Sequence, residues 1–328
     1  MLLMGSIFLV LLLLGMPIAF TIGISAMAFV FTEEFIPLTI AVQKMISSTQ
    51  SFPLLAVPFF VLAGNLMNAT GITSRLITFA HVLTGHLIGG LAHVSVVLSA
   101  LMGGISGSAV ADAAMESRLL GPSMIKAGYS KGYAAAVIAL SSLITATIPP
   151  SIGLILYGFV GEVSIGKLFI GGIVPGLLMT FILMGVSWLT AKNRGYGRAR
   201  ETRATLPEFK EAFKESFLAL LFPLILIVGI RFGIFTPSEA GAFAAVYAFV
   251  VGKFVYKELT WETLKEVLRQ TVRDNGIIML IITCSGIFGY AIVYNRMPQT
   301  IAQWLLGVTN SPGLLLFIVL TFLFIAGM

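Results

Sequence analysis

Apolar stretches recur along the whole sequence, at 2–31, 53–67, 87–102, 133–163, 168–190, 217–235, 240–255, 276–293 and 313–328, and they leave the chain one solvent. A helix that crosses a bilayer needs about 20 mostly apolar residues for a hydrocarbon core of roughly 30 Å, and most of these stretches approach or exceed that size. With 58% hydrophobic and 10% charged residues, a soluble domain of this length cannot hide its apolar surface from water. The expected class is an all-α polytopic membrane protein. Gly15-Met16-Pro17 either kinks the first stretch or divides it into two short helices. No basic residue precedes Lys44, so the amino-terminal stretch reads as a retained membrane segment and not as a cleaved signal peptide.

The formal net charge of +6 is not a nucleic-acid surface. Seven of the 20 Lys/Arg lie in 192–214 beside Glu201, Glu208, Glu211 and Glu215, and five more lie in 253–273. Clusters of this kind mark cytoplasmic segments. Within the second cluster, 261–273 has apolar residues at helical spacing, which suits an arm lying in the membrane interface.

Two apolar stretches are interrupted by residues that do not belong in lipid. The stretch 133–163 would extend about 46 Å as a straight helix. "TATIPPS" at 145–151 breaks it, because Pro149 and Pro150 remove two backbone donors. The expected form is two half-helices joined by unwound backbone, which is tolerated at membrane depth only when buried in protein or lining a cavity. The second interruption, "GGISGSAVADAAM" at 103–115, reads as the tip of a re-entrant hairpin. Residues 87–102 enter the membrane and 110–126 return to the same face. That arrangement gathers 16 of the 20 basic residues on one side, which the positive-inside rule makes cytoplasmic.

An internal repeat supports the hairpin. Segments starting at Val61 and Ile282 each contain an apolar helix, a short polar arm and a second apolar helix, ending at Gly103 or Gly327. With the hairpin counted as non-crossing, the copies have opposite orientation, as in inverted-repeat transporters. Symmetry then places a second tip, a second broken helix and a last helix beyond Met328, roughly 80–100 residues further.

The tip and the break are where polar groups would reach mid-membrane. Freed carbonyls and Ser/Thr hydroxyls can coordinate a hard monovalent cation such as Na⁺, and freed N–H groups attract an anionic substrate. The candidate sodium-binding residues are Ser106, Gly107, Ser108, Thr145, Thr147 and Pro149. Gly104, Asp112, Pro150 and Ser151 are candidates for the substrate or ion site. A helix-packing patch of small residues would explain Gly103 and Gly107, but not the Pro-Pro break. Asp112 is either a functional intramembrane acid or a carboxylate satisfying the first turn of the returning helix. Glu116, near Arg118, is expected at the cytoplasmic rim, and Glu239 is expected to cap a helix after Pro237.

Other chemistries lack their residues. His81, His86 and His93 are not spaced as a helical zinc pair. The single cysteine, Cys284, provides neither a disulfide framework nor a metal cluster. No Walker A, Rossmann or GxSxG pattern is present, so no enzymatic activity and no organic cofactor are expected.

"LLLLGMPIAFTIGISA", "PFFVLAGNLMNATGITSRL", "GGISGSAVADAA", "TATIPPSIGLILYG" and "FTPSEAGAFAAVYAFVVG" together resemble the large membrane (M) subunit of TRAP transporters, the tripartite ATP-independent periplasmic family. The resemblance implies an inverted-repeat, elevator-type secondary transporter of the bacterial inner membrane with re-entrant hairpins and a discontinuous helix. It implies sodium-coupled uptake of an organic anion, a C4-dicarboxylate, sialic acid or similar carboxylate. A periplasmic binding protein would deliver the substrate, and a small four-helix membrane subunit would brace the scaffold. On this resemblance Ser106, Gly107, Ser108 and Asp112 match the first hairpin tip, and 145–151 match the broken helix sharing its ion site. The implied division is 1–75 scaffold, 76–190 arm, hairpin and broken helix, 191–295 basic loop, scaffold and interfacial arm, and 296–328 second arm and incomplete second hairpin. The alternatives are a sodium/carboxylate symporter that needs no binding protein, and a non-transporting scaffold or channel.

Overall fold

The computed structural model describes residues 2–309 and 311–326, and all of its regular secondary structure there is helical. The Gly327 end of the expected repeat and the chain end at Met328 lie outside the described residues. Contacts divide the chain into two compact units, 1–51 with 276–328, and 52–275.

The first unit opens with α1 (Leu2–Leu13) and α2 (Ile18–Thr32). The stretch 2–31 is therefore two short helices, with Pro17 at the start of the second, where its missing amide costs nothing. After α3 (Leu38–Ser47), the unit resumes with the second half of α14 (Trp261–Tyr294), then α15 (Met297–Val308) and α16 (Pro312–Ala326). Its core joins Met4, Ala26, Phe29, Val30, Ile36 and Ala41 to Ile287 and Ala291 of α14. Cys284 packs here, its sulfur 2.9 Å from where a Cβ at Gly23 would stand.

The second unit holds α4 (Ala56–Ala69), α5 (Ile72–Thr84), α6 (Gly90–Gly103), α7 (Ala109–Leu119), α8 (Gly121–Lys126), α9 (Lys131–Thr147), α10 (Ile152–Val160), α11 (Ile165–Arg194), α12 (Leu206–Arg231), α13 (Pro237–Val250) and the start of α14. Capping boxes Thr205/Glu208 and Thr236/Glu239 start α12 and α13, so Glu239 has its expected role. The buried face of α13 is Ala240, Gly241, Ala244, Ala245 and Ala248. These small residues let α4 approach until a Cβ at Gly241 would lie 3.1 Å from Ala56 O. Close backbone packing of this kind replaces the hydrophobic effect between helices in lipid.

Among the described residues, five helices, Phe52–Ala69, Ile165–Arg194, Leu206–Arg231, Pro237–Val255 and Trp261–Tyr294, are long and apolar enough to cross a membrane. A sixth candidate span is the pair α9 and α10, bent by 53° at the break. One expectation is corrected. The amphipathic 261–273 is not a separate arm, because it continues without a break into the next apolar stretch as one 34-residue helix. No Gly or Pro stands between Trp261 and Asn275 to interrupt the backbone ladder.

Candidate functional site: a hairpin tip against a broken helix

α6 and α7 form a hairpin, as their side-chain pairs show. Ser99 meets Asp112, and one turn back along α6 Ser95 meets Glu116, one turn forward along α7. The helices are therefore antiparallel about a tip at 104–108. Their far ends also return together, since Leu91 and Ala92 of α6 pack in one cluster with Met124 and Tyr129. α9 lies alongside both helices, with Thr145 at Asp112 and Ser141 at Glu116.

The tip and the break touch. Gly107 has φ +58, and a Cβ there would stand 2.4 Å from Pro150 O and 2.9 Å from Ser151 Cα, so only glycine fits. Its carbonyl accepts from Ile152 N at 3.4 Å, at the start of α10. Two further helices close the tip in. A Cβ at Gly104 would meet Pro223 Cγ of α12 at 2.2 Å, and one at Gly64 of α4 would meet Ser106 Cα at 3.3 Å. Pro149 and Pro150 take away the amides that would have bonded the carbonyls of Thr145 and Ala146. Ser151 Oγ restores one of those bonds, donating to Ala146 O at 2.6 Å, and also accepts from Leu154 N to cap α10. Ser108 caps α7, accepting from Ala111 N.

Behind the tip lies a buried ladder of carboxyls and hydroxyls. Asp112 and Glu116 are 1% and 0% exposed. Thr145 Oγ1 stands 2.6 Å from Asp112 Oδ2 and 2.8 Å from Ser99 O. Ser99 Oγ is 2.8 Å from both Asp112 Oδ2 and Glu116 Oε1. Ser95 Oγ donates to Glu116 Oε2 and lies 3.0 Å from Ser141 Oγ. The ion pairs among the described residues, Arg75–Glu258 and Arg200–Glu208, are elsewhere, so neither carboxyl has a basic partner. The one proton on Ser99 can saturate only one of its two carboxyl contacts. Asp112 Oδ1 and Ser106 Oγ are both buried with no hydrogen-bond partner. Burying a charge or an unsatisfied oxygen this way is costly unless something positive compensates it.

The predicted residues therefore fall into two groups. Gly107, Pro150 and Ser151 meet at the tip–break contact, flanked by Gly104, Ser106, Ser108 and Pro149. Asp112 and Thr145 belong to the ladder. Thr147 joins neither by its hydroxyl, which donates back to Leu143 O at 2.8 Å. Asp112 lies in the first turn of α7, yet its side chain bonds across to α6 and α9, not to that turn's amides. Glu116 corrects its expected place at the rim, because α9 and α6 cover it completely. Ser95, Ser99 and Ser141 were not singled out from the sequence. Their signal was the four-residue spacing of polar groups, 95/99, 112/116 and 141/145, which puts one polar stripe on each of three helices.

Interrupted helices enclosing buried acids, in a chain with five or six apolar spans, define a multi-pass membrane protein. A model of the family described as "Tripartite ATP-independent periplasmic transporter, DctM component" matches residues 6–328. The chain belongs to this family, whose members are transporter permeases and not enzymes. It is 40% identical over 317 residues to the sialic acid TRAP transporter large permease protein SiaM of Vibrio cholerae, covering 96% of this chain and 74% of that one. It is 34% identical over 331 residues to the C4-dicarboxylate TRAP transporter large permease protein DctM of Rhodobacter capsulatus, covering 97% and 75%. With the sialic acid TRAP transporter permease protein SiaT of Haemophilus influenzae it shares 38% identity over 322 residues, 98% of this chain and 52% of SiaT, so it spans about half that relative's length.

Proposed function

We propose that the chain forms the membrane permease of a sodium-coupled transporter that takes up an organic anion across the bacterial inner membrane. The observation that carries this reading is the buried ladder, two carboxyls without a basic partner and an Asp112 oxygen without a hydrogen bond. A hard monovalent cation with oxygen ligands suits such a set of carboxyl and hydroxyl oxygens. Asp112 and Thr145 would supply side-chain oxygens, with Ser106, Gly107 and Ser108 on the tip side and the 147–151 backbone opposite. Cation binding would order the tip against the break, and coupling follows if the ordered tip alone accepts substrate and moves. We read the hairpin as re-entrant and the movement as an elevator-like displacement of the 76–190 segment. The relatives' names point to carboxylates, sialic acid or a C4-dicarboxylate among them, and the tripartite family to a small membrane subunit and a periplasmic binding protein.

The test is uptake of labelled sialic acid and C4-dicarboxylates into liposomes holding the protein with its small subunit and binding protein. Uptake that needs an inward sodium gradient and the binding protein supports the reading. Sodium-dependent uptake without the binding protein assigns a simple symporter, and unsaturable, sodium-independent flux assigns a channel.

A further inference from the structure

The turn at 85–90 and the loop at 195–205 form a second polar construction, at the opposite end of α6 from the hairpin tip. The loop is held in place: Ala199 N and Arg200 N both donate to Gly85 O at 2.9 Å, and Gly89 N donates to Gly197 O at 3.1 Å. The two segments are so close that a Cβ at Gly90 would lie 2.6 Å from Ala199 N. Beside them opens a cavity of about 250 Å³ lined by His86, Leu87, Trp188, Arg198, Glu201 and Arg203.

The neighbouring basic side chains already have partners. Arg200 pairs with Glu208 at 2.8 Å, Lys192 sits 5.2 Å over the Trp188 ring and Arg194 sits 5.6 Å over Tyr133. Arg198 and Arg203 enter no ion pair among the described residues. With Glu201 they give the lining one net positive charge. Burial, then the charges of Arg203, Arg198 and Arg200, hold His86 below its ordinary pKa, and its imidazole offers hydrogen bonding to the cavity. Its Nδ1 is buried without a partner. The apolar wall belongs to Trp188, in the last turns of α11, whose Phe181, Ile182 and Leu189 are also exposed. A tryptophan at the end of a spanning helix marks the headgroup level.

We propose that this cavity binds the phosphodiester headgroup of an anionic phospholipid, phosphatidylglycerol in type. Arg198 and Arg203 would take the phosphate oxygens, His86 would hydrogen-bond the headgroup, and the acyl chains would run along Trp188 and the exposed face of α11. Guanidinium forks match phosphate oxygens in geometry. Basic pockets at the cytoplasmic ends of membrane helices suit such headgroups. One net positive charge matches one phosphodiester. The apolar wall, continuous with the lipid-facing side of α11, favours a lipid over soluble phosphate.

The experiment measures thermal unfolding and lipid retention of the protein in nanodiscs of phosphatidylcholine, with and without phosphatidylglycerol. The wild type should be stabilised by phosphatidylglycerol and retain it through purification. Each arginine removed should weaken retention about fivefold, so R198Q/R203Q should lose nearly all of it, while R198K/R203K keeps most. Both arginines are exposed, so the variants keep the fold, which their unfolding in phosphatidylcholine alone verifies. Equal stabilisation of wild type and R198Q/R203Q overturns the proposal, as does an equal effect of phosphatidylethanolamine. Equal stabilisation by glycerol phosphate in solution overturns the lipid assignment and makes the site one for free phosphate.

Discussion

Thr145 and Thr147 are two positions apart and of one residue type, but the structure gives them opposite fates. The Thr145 hydroxyl reaches Asp112 and the Ser99 carbonyl, while the Thr147 hydroxyl returns to its own helix. Thr145→Val keeps the shape and takes a hydrogen bond from the buried Asp112 carboxyl, a loss of about 1–3 kcal/mol. It should raise the sodium concentration for half-maximal uptake by tenfold or more, and Thr147→Val should leave it within twofold; titrating uptake against sodium separates them. Asp112→Asn should abolish sodium stimulation while the protein still folds. Glu116 allows a test that needs no transport assay. Glu116→Leu takes the carboxyl acceptor from Ser95 and leaves it only the Ser141 hydroxyl, while Ser99 keeps Asp112 and Ser141 keeps the Ile138 carbonyl, so it should cost about 1–3 kcal/mol. A carboxylate at the rim would cost no more than about 0.5 kcal/mol, so equilibrium unfolding in detergent decides. The sequence marked Asp112 because an acid amid apolar residues is conspicuous. It misplaced Glu116 because Arg118 two positions on suggested solvent, and which helix covers a side chain is a tertiary fact.

At the scale of elements, the two interruptions were legible for different reasons. Pro149 and Pro150 remove two successive amides, where α11 and α12 each tolerate a single internal proline, Pro175 and Pro223, so the break follows from covalent chemistry, and α9 ends within it at Thr147. The tip was legible through glycine, since φ +58 at Gly107 is a conformation that side chains disfavour by roughly 1–2 kcal/mol. Direct contact between tip and break was not legible, because it depends on how α6, α7 and α9 align. Gly107→Ala adds the clash with Pro150 O to the backbone penalty. It should lower stability by clearly more than Gly128→Ala, where φ is +88 but nothing lies within 4 Å of the new Cβ. Thermal unfolding of the two variants checks this, and Gly107→Ala alone should also lose uptake. The continuity of α14 escaped the sequence reading for the opposite reason. Amphipathic 261–273 and the apolar stretch after it differ in composition, but no residue between them ends a helix, and composition sets what a helix faces more than where it stops.

At the scale of the whole molecule, membrane residence was fixed by the apolar runs, whereas sidedness rests on charge. The hairpin geometry makes sidedness testable within one unit. Because the start of α6 clusters with Met124 and Tyr129, the segments before α6 and after α7 should face the same aqueous compartment. The basic loop 195–205, bonded to the turn at 85–90, should face it too. α11 then carries the chain across, leaving Lys167 near its first turn on the far side. In a Cys284→Ala background, single cysteines at Leu83, Lys126 and Lys210 should react with a membrane-impermeant maleimide only from the cytoplasmic face. Lys167→Cys should react only from the periplasmic face. A hairpin that crossed the bilayer would instead put Leu83→Cys and Lys126→Cys on opposite sides. That result would overturn the packing of the start of α6 against Met124 and Tyr129, and with it the hairpin that sets the ladder at membrane depth.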